Sequence, residues 1–168
     1  AVLFFTAAAA QAQVGIGKTV PHFDTRLLDG KAFAAQALND KAVLVVFWAT
    51  WCPTCRKELP ELQSLYEKHR GKGFEILALS VDADAFTVEE FWKDHDYAFP
   101  VAMRAPAHAQ VFGPIKAIPA LYLIDRTSPG DVDAAKRRGV ALEAGKRLVA
   151  LDLRAGTVLW ATSEELAD

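Results

Sequence analysis

Cysteine is almost missing from this chain, with two in 168 residues. Two thiols cannot build the multi-bridge framework on which small disulfide scaffolds depend, though they can form one bridge. An excess of charge of either sign is missing too. Lys and Arg number 19 against 21 Asp and Glu, a net charge of −2, and no basic stripe is evident, so nucleic acid is not an expected partner. The histidines, His22, His69, His95 and His108, show no paired ligand spacing. Zinc in a structural site usually takes four ligands, of which the cysteines would supply only two. No repeat or low-complexity tract stands out beyond the alanines near the start. Nor is there a long apolar run there: Val2-Leu3-Phe4-Phe5 and the residues through Ala10 fall well short of the ~20 that span a bilayer.

That first run has its own meaning. Val2 to Ala10 reads as the tail of the apolar core of a secretion signal, and Ala10 and Ala12 are small residues at both positions a signal peptidase inspects. Cleavage would fall before Gln13. The chain opens on Ala1 with no basic leader, so 1–12 is expected to be a partial signal peptide; a short apolar helix and an uncleaved anchor are the alternatives. The expected location is the periplasm, either secreted or anchored at the N-terminus to the inner membrane. Residues 13–168 then form one domain, with enough apolar residues (52%) for a substantial core.

Gly15 to Val20 reads as a linker. Phe23 to Leu28, the Asp29-Gly30 turn and Lys31 to Phe33 suggest a β-hairpin. Ala42 to Phe47 is a continuous β-branched run, as expected of a strand buried on both faces. Leu59, Leu62, Leu65, Tyr66 and His69 recur at helical spacing until Gly71 and Gly73, with a kink expected at Pro60. Phe74 to Val81 is a second central strand. Thr87 to Glu90 reads as a capping box opening a helix through His95. A short strand over Pro100 to Met103, a helical turn over His108 to Phe112 and a strong strand over Ala120 to Asp125 follow. The order β-α-β-α-β predicts a parallel core with right-handed crossovers. Beyond Asp125, Asp131 to Lys146 reads as a helix interrupted by Gly139 and Gly145. Leu148 to Leu153 and Thr157 to Trp160 form a hairpin, and Thr162 or Ser163 could cap a final turn.

Both cysteines sit in Trp48-Ala-Thr-Trp-Cys-Pro-Thr-Cys55, at the junction of the first central strand and the first helix. Unpaired N–H groups and the positive end of the dipole favour an anion at a helix N-terminus. A cysteine there can have its pKa lowered from about 8.5 to roughly 3.5–7.5. Cys52 is therefore the expected attacking thiolate, and Cys55, one turn on, can reach its sulfur. Pro53 suits the first helical turn, where a missing N–H costs little. Two inert core cysteines are the bland alternative. Haem attachment is excluded because Arg56, not His, follows the second cysteine. The stretch Gly15-Ile16-Gly17-Lys18-Thr19 looks like a phosphate loop but lacks its first glycine and a preceding strand. Trp48 is expected in the core and Trp51 at the surface beside Cys52, because alternate strand residues face opposite ways.

The segment Phe47-Trp-Ala-Thr-Trp-Cys-Pro-Thr-Cys-Arg-Lys-Glu-Leu-Pro60 resembles the active-site stretch of the TlpA/ResA/DsbE (CcmG)-like branch of the thioredoxin superfamily, and Ile118-Pro119 matches that family's cis-proline position. The resemblance covers Val14 to Asp125. It implies an α/β, thioredoxin-like fold: a central mixed sheet flanked by helices, with an N-terminal β-hairpin. It also implies an exported thiol–disulfide oxidoreductase that reduces protein disulfides through a Cys52–Cys55 dithiol/disulfide cycle, of the cytochrome c maturation type. By the same resemblance Cys52, Cys55, Glu58 and Pro119 are catalytic, and Trp51, Pro53, Thr54 and Ile118 meet the partner. Glu58 would tune the thiols or carry the proton; a solvated glutamate paired with a base is its bland alternative. Val46 stands where thioredoxin has a buried Asp. The implied partners are protein disulfides, apocytochrome c among them, and a membrane thiol donor. No cofactor is expected beyond the redox-active disulfide, and the expected state is a monomer.

The chain departs from the family after the proline strand, where Thr127 to Lys146 intervenes as an atypical C-terminal insertion and the last helix looks truncated. Two other functions are open. A copper- or zinc-binding module would use Cys52 and Cys55 as soft ligands. A peroxiredoxin-like peroxidase would need Thr or Ser three residues before its cysteine, where Ala49 precedes Cys52 and Cys52 precedes Cys55.

Overall fold

The computed structural model describes residues 18–20, 23–33, 41–124, 138–142, 149–152 and 157–161. In chain order the elements are β1 (Lys18–Thr19), β2 (Thr25–Arg26), β3 (Ala32–Phe33), β4 (Ala42–Trp48), α1 (Pro53–His69), β5 (Phe74–Ser80), α2 (Ala85–Asp94), β6 (Val101–Met103), α3 (Pro106–Phe112), β7 (Ala120–Ile124), β8 (Arg138–Leu142), β9 (Val149–Asp152) and β10 (Thr157–Ala161). The main sheet runs β1-β8-β7-β4-β5-β6. It is mixed and flanked by helices, as the family resemblance implies.

The wholly parallel core expected from element order needs correction. β4, β5 and β6 are parallel, from Ala42 opposite Phe74 to Ser80 opposite Met103. β7 runs antiparallel to β4, with Phe47 opposite Ala120 and Val43 opposite Ile124. The helix before β7 explains the reversal. Seven residues of α3 rise only about 10 Å, and the irregular segment 113–119 delivers Ala120 to the carboxyl end of β4, so the strand must run back.

Strand β4 is apolar throughout because both its faces are covered. Leu44, Val46 and Trp48 join one buried cluster with Leu59 and Leu62 of α1 and Val88 and Trp92 of α2. Val43, Val45 and Phe47 join a second with Phe23, Phe33 and Val111 and Phe112 of α3. Each such side chain, fully buried, contributes about 1.5–3 kcal/mol. The β2–β3 hairpin forms with Asp29-Gly30 in its turn, where Gly30 takes a φ of +82°. It also protects the β6 edge: Leu27 bridges Ala102, and the Leu28 amide donates to the Val101 carbonyl at 3.0 Å.

Helix α1 stops where Gly71 and Gly73 take positive φ. It runs through Pro60 without interruption, although the proline offers no N–H to the Arg56 carbonyl. Helix α2 is capped by Asp84 and not by Thr87: the Asp84 carboxylate accepts from the Thr87 amide at 2.9 Å and the Thr87 hydroxyl at 2.8 Å. A carboxylate there satisfies orphan amides one turn earlier than the capping box would.

The C-terminal reading is corrected most. Arg138–Leu142, expected in an interrupted helix, is a strand that pairs with β7, Ile124 opposite Gly139. Pairing on both sides, with β7 and with β1, outweighs the cost that Gly139 carries in a helix or a strand alike. β1 pairs with β8 where a linker was expected, and Val20 is buried. The Lys18-Thr19 end of the apparent phosphate loop is thus strand. The β9–β10 hairpin forms as expected. The signal at 1–12, His22 and the cap at Thr162 or Ser163 lie outside the described residues. Among the described residues no helix is long and apolar enough to cross a membrane.

Candidate active site

The chain leaves β4 at Trp48 and reaches α1 within four residues, and that turn places the sulfurs. Cys52 is the N-cap of α1, in extended conformation, and its amide donates to the Ala49 carbonyl at 3.1 Å. Cys52 Sγ accepts from the Cys55 amide at 3.2 Å. The sulfur thus fills the capping position usually taken by Ser, Thr, Asp or Asn. Pro53 opens the helix, as expected. Cys52 and Cys55 are joined by a disulfide across a Cα–Cα distance of 5.3 Å. Once the bridge is reduced, the helix N-terminus and the Cys55 amide stabilise a Cys52 thiolate. Cys52 is 4% exposed and Cys55 1%. Cys52, the expected attacker, is therefore less open than the sequence suggests.

The second wall of the site comes from 66 residues further along the chain. The Ile118 carbonyl oxygen lies 3.9 Å from Cys52 Sγ. The Ile118-Pro119 bond is cis, with Pro119 buried and Ile118 partly buried. The carbonyl that leads into β7 thus faces the sulfur that leads into α1.

Glu58 lies one turn beyond Cys55 on the same helix. It is partly buried, its Oε2 is buried without a hydrogen-bond partner, and its pKa is raised to about 7. Burial is the main cause, because it disfavours the charged form; the negative Glu61 adds to it. The solvated, base-paired reading of Glu58 is thereby corrected. A carboxyl poised near neutrality is able to exchange a proton at working pH.

The remaining expected residues separate into two groups. Trp48 is fully buried, its ring 5.1 Å from that of Trp92 and 5.4 Å from that of Phe91. Trp51 is 66% exposed, and Pro53 and Thr54 are exposed beside it. Arg56 lays its guanidinium 5.8 Å above the Phe91 ring. Among the described residues, no group of three or more His, Cys, Asp or Glu side chains is placed to hold a metal.

Sequence reasoning misses the polar network behind the turn. Asp82 accepts from the Thr50 amide at 3.0 Å, the Thr50 hydroxyl at 2.7 Å and the Ser80 hydroxyl at 2.6 Å. No motif announces it, since Asp82 follows a different strand. It also misses His108, fully buried, whose Nδ1 accepts from the Ala105 amide at 2.8 Å while Nε2 has no partner. Burial, with Arg104 nearby, holds its pKa below the usual value.

With this geometry in place, the similarities are consistent. The Redoxin family model matches residues 16–129. The thiol-disulfide oxidoreductase ResA of Bacillus cereus is 36% identical over 118 residues, 70% of this chain and 68% of that protein. Among solved structures, a thioredoxin-family thiol:disulfide interchange protein from Chlorobium tepidum superposes with a TM-score of 0.65 at 28% identity, over 75% of this chain and 85% of its own. A secreted Mycobacterium tuberculosis disulfide oxidoreductase homologous to E. coli DsbE gives a TM-score of 0.56 at 22% identity, over 73% and 84%, a likeness of fold alone.

Proposed function

Since this chain belongs to the Redoxin family and is a ResA-like thiol–disulfide oxidoreductase of the thioredoxin superfamily, we propose that it reduces protein disulfides outside the cytoplasm. The observation that carries this reading is the Cys52–Cys55 bridge at the start of α1, with a partly buried carboxyl one turn on, whose Oε2 has no hydrogen-bond partner. The reduced Cys52 thiolate attacks one sulfur of a partner's disulfide, forming a mixed disulfide and expelling the partner's other sulfur as a thiolate. Cys55 then gives its proton to the Glu58 carboxylate and attacks Cys52 Sγ. The Cys52–Cys55 bridge forms, and the partner leaves with both sulfurs reduced. Two electrons pass from the pair to the partner, and no cofactor beyond the pair is needed.

Trp51, Pro53 and Thr54 supply the exposed rim, and the Ile118-Pro119 backbone supplies the wall along which an extended partner segment lies. The likeness to ResA supports cytochrome c maturation as the setting, with apocytochrome c as partner and a membrane thiol protein as donor. It supports the extracytoplasmic side of the membrane as the location, reached through the N-terminal signal, and the chain acts as a monomer. The reduction potential of the pair tests the direction. Equilibration in dithiothreitol buffers is expected to give a value near the thioredoxin end of the known range, about −270 mV. A value near −120 mV, the DsbA end, would make the protein an oxidant.

A further inference from the structure

We propose that Asp82 is a positioning residue for Cys52, acting through the single peptide group between Ala49 and Thr50. This rests on the oxidoreductase reading and adds a residue to it. That peptide group is held from both sides. Its carbonyl, on Ala49, accepts the Cys52 amide at 3.1 Å. Its N–H, on Thr50, donates to Asp82 Oδ2 at 3.0 Å. One planar unit is therefore held at both ends, and turning it would break both bonds together. The Thr50 hydroxyl adds a bond to the other carboxylate oxygen at 2.7 Å, so Asp82 grips Thr50 by backbone and side chain at once.

Asp82 is itself fixed. Its Oδ2 also accepts the Ser80 hydroxyl, and its own amide donates back to Ser80 Oγ at 2.9 Å. Ser80 is fully buried at the end of β5. Just after Ser80, the strand ends are tied by the Val81 amide on the Trp48 carbonyl at 2.9 Å. The rigid end of β5 thus reaches through Asp82 to the turn that sets the Cys52 amide. That residue's sulfur in turn sits between the Cys55 amide and the Ile118 carbonyl. Freed of Asp82, the Ala49–Thr50 peptide can rotate, and Cys52 Sγ loses its fixed approach to the helix amide that stabilises the thiolate.

The shape of the network separates geometry from charge. Asparagine can reproduce it: its oxygen takes the place of Oδ2 for the Thr50 amide and the Ser80 hydroxyl, and its NH2 donates to the Thr50 hydroxyl oxygen. Alanine reproduces none of it. The experiment measures alkylation of Cys52 by iodoacetamide in the reduced full chain across pH, alongside reduction of a disulfide-containing protein, with folding checked by circular dichroism. Asp82→Ala is expected to slow alkylation at neutral pH by about tenfold and to move the profile to higher pH, while Asp82→Asn stays within about twofold of wild type. If the alanine variant does not fold, Asp82→Ser replaces it, being too short to reach both groups of Thr50, and the same slowing is expected. Asp82→Ala (or the serine variant) keeping pace with wild type would overturn the proposal. So would a departure of Asp82→Asn in either direction, since that would assign the effect to charge. If the wild type itself fails to reduce the protein disulfide, the reductant reading falls, and the alkylation profiles alone decide this proposal. If the wild type works and the alanine variant matches it, only this proposal falls.

Discussion

The two faces of the sheet are fed by alternate residues of one strand, yet only one of them carries chemistry. On the α1–α2 face, Leu44, Val46 and Trp48 support a cluster that includes Cys52 and Cys55, and the polar atoms Trp48 Nε1 and Glu58 Oε2 are buried there without partners. On the α3 face, Val43, Val45 and Phe47 meet a plug of aromatic rings. Phe112 lies 5.4 Å from both Phe23 and Phe47 and 5.0 Å from Tyr122. An unpaired buried polar group costs about 1–3 kcal/mol. The second face tolerates one at His108, whose pKa burial lowers. The first tolerates one at Glu58, whose titration falls near pH 7. The plug holds the sheet together, and the active face spends part of that stability on poised groups.

The contrast breaks most completely at the sulfurs. Cys52→Ser is expected to reduce exchange with a protein disulfide to background, and Cys55→Ser to accumulate the mixed disulfide, seen on non-reducing gels or by mass. Neither change touches the aromatic plug. The opposite test removes a ring from the plug. Phe112 is fully buried, and Phe112→Ala is expected to cost about 3–5 kcal/mol in urea unfolding. Its exchange rate per folded molecule should stay within about twofold of wild type, because Phe112 belongs to the other cluster from Cys52 and Cys55, and the two meet only through partly buried side chains such as Val81 and Ile118. A large loss of rate without loss of stability would show that the two faces are coupled.

The difference in legibility follows the same division. β4 announces itself because a strand buried on both faces has no polar residue to blur it, and Cys52-Pro-Thr-Cys55 announces the site because thiols at a helix start have few other uses. Local signals also place the β2–β3 turn and the end of α1. What escapes is non-local. Nothing in Ile118-Pro119 shows that it meets a sulfur 66 residues away; only resemblance to a known family brings the two together. Asp82 escapes for the same reason, being a loop carboxylate whose partners belong to another strand. β8 escapes because its strand character comes from the edge of β7 that it completes, against glycines and charges that resemble a broken helix. The reversal of β7 depends on the short rise of α3, a length that the element order does not record.

Glu58 sharpens the comparison through pH. Its carboxyl titrates at about 7 in the folded chain against 4.5 without the fold. Between those values the unfolded chain has lost the proton and the folded one keeps it, so the folded state binds more protons and stability falls as pH rises. The contribution is fully present below about pH 4.5 and gone above about pH 7. Allowing for solvent at a partly exposed side chain, the fall amounts to about 2 kcal/mol. Glu58→Gln should lack it, so its urea midpoint should gain on the wild type between those two pH values. It should also flatten the pH dependence of the step in which Cys55 resolves the mixed disulfide. Coincident curves for both proteins would reduce Glu58 to a surface charge.

Trp51 belongs to neither face, and the smallest stability effect is expected there. At 66% exposure its ring has little to lose on truncation, and Trp51→Ala should change unfolding free energy by no more than about 0.5 kcal/mol. Its effect should appear only when a partner is present. A ring of that size beside Cys52, seated against a polypeptide, adds apolar contact that a small disulfide cannot use. The KM for a protein disulfide should therefore rise several-fold while the rate with a small aromatic disulfide stays the same. Equal losses with both substrates would mean that Trp51 shapes the turn around the sulfur, the role proposed for Asp82.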